Sequence, residues 1–143
     1  IIDDLVRNHV QCLLGPTVGG KGKIEARNKT FKAGQILENA GITFGLITDA
    51  PFVPIEGQLL QAALYVKNGL SREMALKCLT INNAIITDID SRVGSLEPGK
   101  DADVVIWDVE PLATLSQAGI VIIDGQIAYR RKAGESNVDY QKL

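Results

Sequence analysis

Two apolar runs separated by a helix-length interval constrain this chain more than any other feature. Val10-Gln-Cys-Leu-Leu14 ends at Gly15-Pro16, a pair that terminates regular structure. Ile42-Thr-Phe-Gly-Leu-Ile-Thr48 is rich in β-branched and aromatic residues. Between them, Ala33, Ile36, Leu37 and Ala40 recur at the spacing of one helix face, and Gly41 suits the positive φ of a helix C-terminus. Residues 8–48 therefore spell strand, helix, strand. A helical crossover of that length predicts parallel strands. Both runs are apolar rather than alternating, as strands covered on both faces are.

Two more helices are predicted downstream. One covers residues 56–68, with Leu59, Ala62, Ala63 and Val66 facing inward and Gly69 as its stop. The next starts at Ser71, a good N-cap, with Glu73 in its positive first turn. Met74, Cys78, Ile81 and Ile85 form its core stripe, and packing rather than chemistry explains the two sulfur residues. After Asp88 the pattern becomes strand-like. A turn at Pro98-Gly99 precedes a strand over 102–108. Ile120–Ile123 and Gln126–Arg130 read as a hairpin closed by Asp124-Gly125, which accept the positive φ of a type I′ turn. Residues beyond Lys132 are polar and expected to fray.

Composition excludes some partners. Net charge is -2 and the pI is about 5.4, so no surplus of positive charge exists to neutralise nucleic acid. No apolar run approaches the ~18 residues needed to cross a bilayer, and no secretory signal is seen. Cys12 and Cys78 form no CxxC pair and are read as reduced core thiols of a cytoplasmic protein. Ile1, Ile2, Leu5 and Val6 look like the end of an amphipathic helix already under way, and the single Met is Met74. The chain is therefore read as a piece of something longer.

The segment Arg92-Val-Gly-Ser-Leu-Glu-Pro-Gly-Lys-Asp-Ala-Asp-Val-Val-Ile-Trp-Asp108 resembles the C-terminal signature of the amidohydrolase superfamily, which reads G-x-[IL]-x-x-G-x-x-A-D-[LV]-[VI]. The hairpin that follows it there is matched by Val121-Ile-Ile-Asp-Gly125. Upstream, Thr80, Asn82 and Ala84 fall in register with that family's T-x-N-x-A helix, and Leu46-Ile-Thr-Asp49 is similar to its last barrel strand. Thr48-Asp49-Ala50-Pro51 is most like the group related to imidazolonepropionase. The resemblance implies an α/β fold: the last two βα units of a (β/α)8 barrel over 1–88, then C-terminal strands of a small β-sandwich over 89–132, with a tail over 133–143. Lys100, Asp101 and Asp103 would then serve the fold, and Trp107 would pack in the sandwich.

The same resemblance makes Asp49 the candidate catalytic residue and metal ligand, a base toward metal-activated water and then an acid toward the leaving nitrogen. It implies hydrolysis of non-peptide C–N bonds in a small-molecule substrate such as a cyclic amide. Thr17 and Pro51 are candidate substrate contacts at the same rim. The cofactor would be a divalent metal, zinc first, and the His ligands would come from a missing N-terminal barrel portion. His9 stands at the wrong strand end for a ligand. One carboxylate cannot hold zinc, which takes three or four protein ligands, so this chain alone is expected neither to retain metal nor to turn over substrate. Two rivals stand beside this reading. Gly15-Pro-Thr-Val-Gly-Gly-Lys21 fits the G-x-x-x-x-G-K of a phosphate loop, though Gly22 replaces its Ser or Thr and Pro16 removes an amide donor. A pair of βα units with bare sheet edges would alternatively suit a non-catalytic interaction domain or a homo-oligomer.

Overall fold

A computed structural model describes residues 1–20, 22–113 and 115–132. Helix α1 (Ile2–Arg7) leads into β1 (Cys12–Leu14), α2 (Lys32–Asn39) and β2 (Phe44–Leu46). Helices α3 (Gln58–Lys67), α4 (Arg72–Leu79) and α5 (Ile81–Ile86) follow, and then strands β3 (Val104–Trp107), β4 (Ala118–Ile123) and β5 (Gln126–Arg130). The architecture is mixed α/β.

β1 and β2 pair in parallel, with Cys12 opposite Phe44 and Leu14 opposite Leu46. The crossover reading of residues 8–48 is thus met, with shorter strands than the apolar runs suggested. Gly41 has φ 68 and closes α2 as expected. Alternation along β2 decides what it covers. Phe44 and Leu46 are fully buried and pack with Leu37, Ala62, Tyr65, Leu70, Ala75 and Cys78. The other face carries Gly45, where a Cβ would overlap the Asn83 side chain.

Both helix faces behind β2 differ from the sequence expectation. On α3 the buried positions are Gln61, Ala62 and Tyr65, whereas Leu59, Ala63 and Val66 are only half-buried. The stripe is rotated because Gln61 and Tyr65 carry polar ends that find partners at the strand ends, so their burial leaves no orphaned group. The stripe Met74, Cys78, Ile81 and Ile85 also breaks, since Thr80 has φ -132 and ψ -102 and divides α4 from α5. The Thr80 hydroxyl donates to the Leu76 carbonyl at 2.8 Å, a back-bond that competes with the helix ladder. Of the four, Cys78 alone is fully buried, and Ala75, Asn82 and Ala84 take the remaining core positions. Ser71 does cap α4, accepting from the Met74 amide at 3.1 Å, and Glu38 anchors it from α2 through the Ser71 amide at 2.9 Å.

The Cys78 thiol donates to the Phe44 carbonyl at 3.0 Å, and burial pushes it up to about 12. The thiolate is therefore scarce near neutrality, and Cys78 is expected to resist iodoacetamide at pH 8 while the fold is intact. The folded pKa lies above the ordinary value of 9.0, so the native state holds its proton longer than the unfolded chain. Its stabilising effect is complete below about pH 9.0 and is lost as pH rises toward about 12. A pH series of denaturant titrations checks this: Cys78→Ala should flatten the alkaline fall.

β3, β4 and β5 form an antiparallel sheet in that order. Asp124 (φ 50) and Gly125 (φ 74) close the hairpin in the conformation their sequence predicts. The signature segment holds this sheet in place. The Asp101 amide donates to the Arg92 carbonyl at 2.8 Å, and Asp103 accepts from the Asp124 amide at 2.9 Å. Lys100 donates to Ser95 at 2.6 Å, and Arg92 pairs with Asp101 at 2.5 Å. Lys100, Asp101 and Asp103 thus spend their polar groups on turns. Trp107 is half-buried.

Candidate active site

The candidate site lies at the C-terminal ends of the parallel strands. β2 ends at Leu46, Thr48 is buried, and Asp49 emerges exposed with φ 53. Asp tolerates this left-handed conformation better than most residues because its short side chain bonds locally. The Asp49 carbonyl accepts from the Phe52 amide at 2.9 Å, closing a turn. Its carboxylate makes no hydrogen bond among the described residues. It is a rim carboxylate held by its backbone and open to an incoming group.

Behind it lies a polar clasp that joins both strand ends. Gln61 is fully buried. Its amide nitrogen donates to the Ile47 carbonyl at 2.9 Å, and its oxygen accepts from the Thr17 amide at 2.8 Å and the Val18 amide at 3.4 Å. Gln58 adds a bond to the Leu46 carbonyl at 2.5 Å. The Thr17 hydroxyl meets the Tyr65 hydroxyl, and the Tyr65 ring stands edge-on to Phe31 with centroids 5.2 Å apart. Burial raises the Tyr65 phenol above its ordinary range, so it stays protonated. Gly15, at φ 136, lets the first strand end approach the second, for a Cβ there would overlap the Ile47 carbonyl oxygen.

Thr17 therefore lies inside this clasp, its hydroxyl engaged by Tyr65. Pro51 is exposed next to Asp49, in a cis peptide with Ala50. Gln61 and Tyr65 escaped the sequence reading. Their positions on α3 were legible, but only the distant pairing with residues 15–18 reveals their task.

The phosphate-loop reading is overturned by polarity. A phosphate cradle presents backbone amides at a helix N-terminus. Here the Thr17 and Val18 amides are taken by Gln61. The carbonyls of Pro16 and Gly20 instead face a cation, the Lys29 ammonium, at 3.0 and 3.3 Å. A 3-10 turn over Ile24–Ala26 follows the loop, and α2 starts only at Lys32. Lys21 itself falls outside the described residues.

Asp49 offers a single carboxylate. Among the described residues no three His, Cys, Asp or Glu side chains gather as a metal group. His9 is exposed at the opposite end of β1, with φ 52. The donor set present thus fits one corner of a metal site and not a whole one. An apolar cavity of about 840 Å³ lies elsewhere, lined by residues including Leu13, Leu59, Leu79, Val104 and Trp107. Asp49 does not line it.

Comparison with known proteins fits this geometry. The model of the Amidohydrolase family matches residues 18–130. The amidohydrolase tasK of Hapsidospora irregularis is 34% identical over 103 residues, covering 72% of this chain and 10% of that protein. An imidazolonepropionase of Shewanella baltica is 35% identical over 86 residues, 57% of this chain and 21% of its own length. A solved amidohydrolase structure from Thermotoga maritima superposes with a TM-score of 0.87 at 35% identity, covering 91% of this chain and 34% of that one. The chain thus spans a small part of each relative. With the family match running from the rim loop to the end of β5, the chain belongs to the amidohydrolase family.

Proposed function

We propose that this chain forms the last two βα units of a barrel hydrolase, together with C-terminal strands of its accessory sheet, and that Asp49 is its contribution to catalysis. The observation that carries this reading is the exposed Asp49 carboxylate, without a hydrogen-bond partner among the described residues, at the C-terminal end of a parallel strand, the end at which barrel enzymes place their chemistry. The reaction is hydrolysis of a non-peptide C–N bond in a small molecule, a cyclic amide or related compound. A divalent metal, zinc first, would supply Lewis acidity and lower the pKa of water when bound in the complete protein. Asp49 would be one of the residues that hold or approach it. Its carboxylate takes the proton from the attacking water and returns it to the departing nitrogen, base first and acid second. The backbone turn to Phe52 holds it at the rim while it does so.

The remaining ligands lie outside this chain, which alone turns nothing over. The test compares the 143-residue chain with the complete polypeptide for metal content and for hydrolysis of a cyclic-amide panel. The complete polypeptide should carry metal, lose turnover on chelation and regain it with zinc. The short chain should do neither. Turnover that survives exhaustive chelation would defeat the proposal.

A further inference from the structure

The stretch between Asp49 and Glu56 is apolar throughout: Ala50-Pro-Phe-Val-Pro-Ile55. Val53 is its buried anchor, 8% exposed. The flanking side chains face water, with Phe52 66% and Ile55 71% exposed. The backbone of Phe52 is held in place. Its amide is tied to the Asp49 carbonyl, and the closed turn brings the two α-carbons within roughly 7 Å. The ring also leans toward the loop after β1, where a Cβ at Gly19 would stand 3.6 Å from Phe52 Cε1. An exposed aromatic side chain thus stands next to a rim carboxylate that has no hydrogen-bond partner among the described residues. Ligand sites are built this way, with apolar walls for affinity and few polar groups for orientation.

We propose that Phe52 is a specificity-determining residue, and that the substrate carries an apolar side group, aromatic or branched aliphatic, which packs on its ring while Asp49 faces the scissile bond. This rests on Asp49 being the catalytic carboxylate. Phe52 takes no part in proton transfer. It discriminates between substrates that share a reacting group.

The experiment uses the complete polypeptide and matched ligand pairs: 5-benzylhydantoin against 5-hydroxymethylhydantoin, and N-acetylphenylalaninamide against N-acetylserinamide. Binding is measured by calorimetry, and turnover separately. For at least one pair, the wild-type protein should bind the benzyl member about 10–200-fold more tightly, the range for hydrophobic-pocket discrimination. Phe52→Ala should collapse that gap to within a few-fold, and Phe52→Leu should retain part of it. Equal binding of both members, a gap that survives Phe52→Ala, or no binding of any ligand overturns the inference. The catalytic reading is judged apart from this, by turnover in Asp49→Asn. Full turnover there removes Asp49 from catalysis, whereas a gap that is absent from the wild-type protein or survives Phe52→Ala, with turnover still dependent on Asp49, removes Phe52 alone.

Discussion

Asp49→Asn in the complete polypeptide should lower turnover roughly 10²–10⁴-fold, the span expected when a general base is removed, while leaving the fold intact. The two halves of this expectation have separate physical grounds. Asn is nearly isosteric but accepts no proton at neutral pH, so water activation and leaving-group protonation both fail. Folding has little at stake, because the carboxylate is exposed and holds no hydrogen bond among the described residues. Asn is also at home at the φ of 53 that this position requires. An exposed change of this kind shifts stability by about 0.5 kcal/mol or less. Thermal unfolding and single-turnover kinetics on the same preparation separate the effects. Unchanged turnover would remove the carboxylate from the reaction. A large drop in melting temperature would show that it serves the fold instead.

Gly15→Ala should do the opposite and act on the fold. Gly15 has φ 136, a region that residues with a Cβ rarely enter, and the added carbon would overlap the Ile47 carbonyl oxygen. That obstacle is backbone and cannot swing aside. The same Cβ would stand 3.1 Å from Gln61 Nε2, crowding the clasp that ties the strand ends. Backbone strain at such a position costs about 1–3 kcal/mol, and overpacking adds about 1–3 kcal/mol. A loss of about 2–6 kcal/mol is a large part of a domain's stability. Gly22→Ala is the internal control, since nothing lies within 4 Å of a Cβ there. Denaturant titrations of the two variants should differ by the full cost. Equal midpoints would mean that the strand ends separate more freely than the clasp implies.

The sequence carried the backbone plan further than it carried the interior. The parallel pairing of β1 with β2 followed from two apolar runs and a crossover, and the hairpin turn from Asp124-Gly125. The Ser71 cap was equally local. What failed was the facing of α3 and of the α4–α5 pair. Helical periodicity assumes that apolar residues point inward, and here Gln61, Tyr65 and Asn82 are buried because each meets a carbonyl or hydroxyl from elsewhere. Three such pairings, Gln61 with Thr17, Tyr65 with Thr17 and Asn82 with Phe44, join residues 38 or more positions apart, and no local window contains them. Asp49 was legible as a strand-end carboxylate, and the role proposed for it came from the resemblance. Phe52 was not, because exposure cannot be read from an apolar run.

The clasp divides the rim loop into a base and a tip. Gln61, Gly15 and Tyr65 anchor the base at Thr17, while Lys29 gathers the carbonyls at Pro16 and Gly20 from the other side. Among the described residues beyond those anchors, Gly22 has open space where a Cβ would stand. New sequences can therefore be grafted there with the geometry beneath left undisturbed. Loop sequence and scaffold become separable engineering variables in a loop this short.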